Sequence, residues 1–115
     1  MSYKLVLLTL LCVFGIAIGQ VLFKKAAIQL PDDAHFFDWV NNIWLISAFV
    51  LYGLTTLLWV WILRHAPLSL AYPFMAFAFI LVPVMSFLIL KESVELRTFI
   101  GSVLIIIGVT LTSTT

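Results

Sequence analysis

Charge is scarce in this chain: six Lys/Arg and five Asp/Glu leave 10% of its 115 residues charged, against a hydrophobic share of 64%. A soluble globular domain, with about a quarter of its residues charged, is excluded on that ground. The small net charge of +1 excludes a basic nucleic-acid surface and an acidic tail, so no nucleic-acid partner is expected. Cysteine is nearly absent. The single Cys12 lies in the first apolar run, where it forms neither an intrachain disulfide nor a metal cluster and is read as a helix-packing residue. No nucleophile stands beside a base and no glycine loop could cradle phosphate, while His35 and His65 fall in separate connecting segments. No enzymatic chemistry, cofactor or metal site is therefore expected.

What the chain does contain is hydrocarbon. Four apolar stretches of about 20 residues, each able to cross a hydrocarbon core roughly 30 Å thick, consume nearly all of it. The expected fold is all-α, a single four-helix transmembrane domain over residues 1–115. Its spans run from about Lys4 to Lys25, Trp39 to Leu63, Pro67 to Leu90 and Arg97 to Thr112. The first run is too long for a secretory signal, and Lys24 and Lys25 follow it where a small-residue cleavage motif would stand, so it reads as a retained span. Between the first two spans, Pro31-Asp32-Asp33 and the following aromatics suit a headgroup-level loop, with Trp39 and Trp44 as interfacial anchors. The short Arg64-His65-Ala66 connection predicts an antiparallel hairpin of the second and third helices, with Pro67 in the first turn of the third. Lys4 and Arg64 mark one membrane side and Lys24, Lys25, Lys91 and Arg97 the other, which nominally puts the termini outside. The adjacent Lys24 and Lys25 need not lie in a loop, however, so this count does not fix the orientation.

Several residues stand out against this apolar background. Gly15 and Gly19 form a GxxxG pair, read as a close helix crossing in preference to a ligand contact. Ile16, Gln20 and Lys24, spaced four apart, share one helical face whose polarity grows toward one surface. Two readings apply to Lys24 and Lys25: snorkelling to the headgroups, or contact with the anionic head of a substrate. Ser69, Tyr72, Pro73 and Pro83 crowd the third span, where each proline removes a backbone donor and leaves a carbonyl, Ser69 or Phe79, without its helical partner. That break either lines a cavity or is a static kink plugged by a neighbouring helix. Gly101 and Gly108, seven apart, suit a helix-crossing seam, within the chain or between two copies or two related chains. Glu92 and Glu95, with Lys91 and Arg97, read as a solvated cap of the last connection.

Three segments carry a resemblance. Gly-Gln-Val-Leu-Phe-Lys-Lys-Ala in the first span, Ala-Pro-Leu-Ser-Leu-Ala-Tyr-Pro from Ala66, and Lys-Glu-Ser-Val-Glu-Leu-Arg-Thr-Phe-Ile-Gly from Lys91 resemble the small multidrug resistance group of the drug/metabolite transporter superfamily. Within it, the chain most resembles the small flippase subunits that move undecaprenyl phosphate carrying aminoarabinose across the bacterial inner membrane. The resemblance implies a pair of subunits, as a homodimer or a heterodimer with a related four-helix chain, and a polyprenyl phosphate cargo with a sugar head. The drug exporters carry a membrane-embedded glutamate three residues before the glycine matching Gly19, and here that position is Ile16. With no other acid in any expected span, proton-for-cation exchange has no carboxylate to use, and the path offers amides and amines but no negative group.

A flippase for a lipid-linked sugar is accordingly the leading expectation. Gln20, Lys24, Lys25 and Tyr72 would line its headgroup path, and Arg64 would meet phosphate at the other surface. The alternatives are an antiporter of small or hydrophobic cations and a non-transporting membrane assembly subunit.

Overall fold

In lipid every backbone donor and acceptor must be satisfied within the segment, so these apolar runs have helix as their only open-chain solution. The computed structural model, which describes residues 2–113, is built of helices joined by short connections and has no strand among those residues. Helix α1, Tyr3–Gln29, begins where the Ser2 side chain accepts from the Leu5 amide at 3.3 Å. Its 27 residues reach about 40 Å, longer than the hydrocarbon core. Lys24 and Lys25 are therefore part of a helix that continues past them, not of a loop.

The short α2, Phe36–Val40, precedes α3, Ile43–His65. Trp39, expected to open the second span, belongs to α2. The physical reason for the new start is Asn42, whose Oδ1 accepts from the amides of Trp44 (3.1 Å) and Leu45 (3.3 Å) and so caps α3. Arg64 and His65 form the last turn of α3 instead of a loop, and His65 Nδ1 lies 2.9 Å from the Trp61 carbonyl.

The third apolar run is broken into α4 (Leu68–Ala71), a 3-10 segment (Tyr72–Phe77) and α5 (Ala78–Ile89). Pro67 is the residue before α4, one position earlier than expected, and its carbonyl accepts from Leu70 and Ala71. Pro73 deprives the chain of an i→i−4 donor where α4 gives way to the tighter winding. Last comes α6, Leu96–Ser113.

The packing centres on α1. Along its length α3 lies against α1, and α5 lies against another side of α1; α6 packs on α5 and the 3-10 segment. The expected hairpin of the second and third spans is therefore confined to its hinge, where α3 meets α4. Cys12, Ile62 and Ala71 form the buried centre, with Leu8, Ile16, Leu58, Trp59 and Leu63 around it, and Cys12 Sγ donates to the Thr55 carbonyl at 3.3 Å. Buried positions on α1 are mostly small, including Gly15, Ala17, Gly19 and Ala26, which brings the backbones close where lipid gives no hydrophobic drive. Large apolar side chains instead cover the outside: Leu7, Leu11 and Phe14 on α1, Leu54 and Leu57 on α3, Leu104 and Ile107 on α6. Such an inverted surface, with three helical stretches long and apolar enough to cross a bilayer and a shorter apolar α6, describes a small all-α, multi-pass membrane protein.

Candidate functional site

The polar face of α1 meets the rest of the chain at Gln20. Its Nε2 donates to the hydroxyl of Tyr52 on α3, and the Tyr52 ring is held edge-on by Phe23 at 5.1 Å. That ring lies against Gly19, and Thr55 lies against Gly15, each too close for a β-carbon. The GxxxG pair thus seats α3 within the same chain and, through Tyr52, orients Gln20.

One turn further along, Lys24 Nζ stands 4.0 Å from Glu92 Oε1. Glu92 arrives there by a reversal of the backbone. Lys91 adopts a left-handed conformation at φ 58°, rare for a residue with a side chain, and the Glu92 amide then donates back to the Ser86 carbonyl at 3.2 Å. Ser86 Oγ donates to Glu92 Oε2 at 2.8 Å, fixing one carboxylate oxygen and leaving the other toward Lys24. Gln20, Val21, Lys24, Val82, Ser86 and Glu92 line a crevice of about 230 Å³ between α1 and α5. It adjoins an apolar cleft of about 330 Å³ that shares Gln20 and Val82 and continues along Ala78, Phe79 and Pro83 to Ser102 on α6. The Phe79 carbonyl, expected to lack its partner because of Pro83, accepts from Ser102 Oγ at 2.7 Å, a hydroxyl also 2.8 Å from the Thr98 carbonyl. The kink at Pro83 is plugged by a neighbouring helix and lines a cleft as well.

The other sequence-selected residues lie elsewhere. Lys25, one residue and about 100° around the helix from Lys24, places its amine 4.6 Å from the centre of the Trp44 ring, a cation–π contact outside the crevice. Arg64 and Tyr72 are exposed at the opposite end of the molecule, beside the start of α1. Among the described residues, nothing outside the helix's own neighbouring backbone comes within 4 Å of a β-carbon built on Gly101 or Gly108.

Three relatives place this geometry in a family. Proteins of Proteus mirabilis (strain HI4320), Enterobacter sp. (strain 638) and Serratia proteamaculans (strain 568) are 33%, 35% and 35% identical to the chain. They cover 84%, 96% and 97% of it and 85%, 95% and 95% of their own lengths. Each is described as a "Probable 4-amino-4-deoxy-L-arabinose-phosphoundecaprenol flippase subunit ArnE". The chain belongs to the ArnE flippase-subunit family. No family model and no solved structure matches it.

ArnE membership agrees with the resemblance carried by the sequence segments. Ile16, at the position of the drug exporters' glutamate, packs against the buried Cys12–Ile62 centre, an apolar setting. The Lys91 reversal and the Ser86 bond turn Glu92 toward Lys24, while its side chain stays exposed as the solvated-cap reading expects. Sequence reasoning missed Tyr52, Ser86 and Ser102. Ser86 and its partner Glu92 are near neighbours in sequence, and their meeting depends on the backbone turn between them.

Proposed function

We propose that this ArnE-family chain is a flippase subunit in the bacterial inner membrane that moves 4-amino-4-deoxy-L-arabinose-phosphoundecaprenol between leaflets. All four apolar segments cross the bilayer in this reading. The observation that carries it is the join between the two cavities: a small polar crevice bearing the Lys24 amine and the Gln20 amide leads directly into an apolar cleft. A phosphate on the crevice side gains charge-assisted hydrogen bonds from Lys24, and a polyprenyl chain finds apolar walls on the cleft side. In this reading the two lysines have separate roles, supported by their different contacts. Lys24 meets the head, while Lys25 holds the Trp44 end of the molecule at the interface. Arg64 and Tyr72, at the other surface, offer donors to the head as it leaves or enters there.

Pairing completes the reading. With open space where side chains on Gly101 and Gly108 would stand, among the described residues, α6 supports an association seam to a second copy or a related four-helix subunit.

Reconstitution into proteoliposomes tests the assignment, reading the rate at which the lipid head becomes accessible on the opposite face. Lys24→Ala is expected to slow translocation at least about tenfold, the scale of one lost charged hydrogen bond, while Lys25→Ala leaves the rate within about twofold. Unchanged translocation by Lys24→Ala would overturn the reading.

A further inference from the structure

We infer that Glu92 recognises the amine of the lipid head, so that the crevice reads a zwitterion, with Lys24 taking the phosphate and Glu92 the ammonium. This rests on the cargo proposed above, whose head carries an anion and an amine on opposite sides of one sugar ring. A crevice for a bare polyprenyl phosphate has no use for a carboxylate beside its lysine, because the acid repels the phosphate and competes for the amine.

The structure holds Glu92 there by three features. The left-handed Lys91 turns the chain back, the Glu92 amide donates to the Ser86 carbonyl, and the Ser86 hydroxyl donates to Oε2. The left-handed Lys91 directly follows the C-cap of α5, a common way for a helix to end, and here it turns the chain so that the Glu92 side chain returns to Ser86. Ion-pair stabilisation does not account for the placement of the carboxylate. At 4.0 Å the amine and carboxylate are farther apart than the roughly 2.7–2.9 Å of a charge-assisted hydrogen bond. Their side chains are 53% and 45% exposed, and such pairs contribute little to stability. The pair is open enough for a ligand to enter, with one partner on a flexible stem and the other fixed. Oε1 is the carboxylate oxygen nearer Lys24, while Oε2 is held by Ser86. Beside them Gln20 is kept by Tyr52, and its remaining amide capacity can meet the sugar hydroxyls.

Binding to the full-length protein in nanodiscs separates the outcomes. The probes are 4-amino-4-deoxy-L-arabinose-phosphoundecaprenol and the same lipid with its amine acetylated, which keeps sugar, phosphate and tail and removes the positive charge. The unmodified protein is expected to bind the free-amine lipid about tenfold more tightly than the acetylated one. Glu92→Gln abolishes that preference, Glu92→Asp retains it, and Lys24→Gln weakens both lipids alike. Equal binding of the two lipids by the unmodified protein, or a preference that survives in Glu92→Gln, overturns the inference while leaving the cargo standing. Failure of the unmodified protein to bind either lipid overturns both the inference and the cargo on which it rests.

Discussion

A methyl group on Gly19 would stand 2.5 Å from Cδ1 and Cε1 of Tyr52, and one on Gly15 would stand 2.5 Å from Thr55 Cγ2. Those atoms belong to residues fixed by their own hydrogen bonds, Tyr52 with Gln20 and Thr55 Oγ1 with the Tyr52 carbonyl at 2.9 Å, so they cannot simply swing aside. Gly19→Ala is expected to destabilise the protein by about 1–3 kcal/mol in thermal unfolding in detergent, and to displace Gln20 with it. At Gly101 and Gly108 the space is open, so alanine there should leave the unfolding of the single chain within about 0.5 kcal/mol. Its effect should be confined to association, read as loss of the paired species in native mass spectra. Asn42 is a third decisive side chain: besides capping α3, its Nδ2 donates to the Ala26 carbonyl at 2.8 Å in a buried position. Asn42→Ala removes both functions and should cost about 1–2 kcal/mol in the same assay.

The elements show where sequence reasoning reached and where it stopped. Length and unbroken apolarity sufficed for the helices, because lipid leaves the backbone few options. The boundary at Trp39 was misplaced because hydropathy cannot see that the Asn42 side chain turns back on the amides following it. Pro73 and Pro83 announced a disturbed third span from sequence alone. What they could not reveal was the partner for the orphaned Phe79 carbonyl, since Ser102 lies 23 residues away on another helix. Ser102→Ala should therefore loosen the contact of α5 with α6. The expected cost is about 0.6–1.7 kcal/mol, the range for hydrogen bonds between helices in lipid, measured as a lowered unfolding temperature. Within the site, Gln20 and Lys24 were legible because one helix sets their spacing. Lys25 was grouped with them, and its contact with Trp44 lies on another face of the helix. Glu92 was illegible because its place depends on one left-handed residue in a connection of no regular period.

At the scale of the whole molecule, one helix organises the rest. With α3 and α5 both packed on α1 and α6 held by α5 and the 3-10 segment, a single chain forms only open cavities and leaves the last helix lightly held. A partner seated on α6, as proposed above, would deepen the cleft that begins at Gln20 and ends at Ser102.

The helices also differ in reach. At 1.5 Å per residue, the 18 residues of α6 extend about 27 Å while α1 extends about 40 Å. The excess of about 10 Å over the hydrocarbon core means that α1 either tilts in the bilayer or carries its end at residues 24–29 out among the headgroups, which brings the polar end of the Gln20–Lys24 face to headgroup depth.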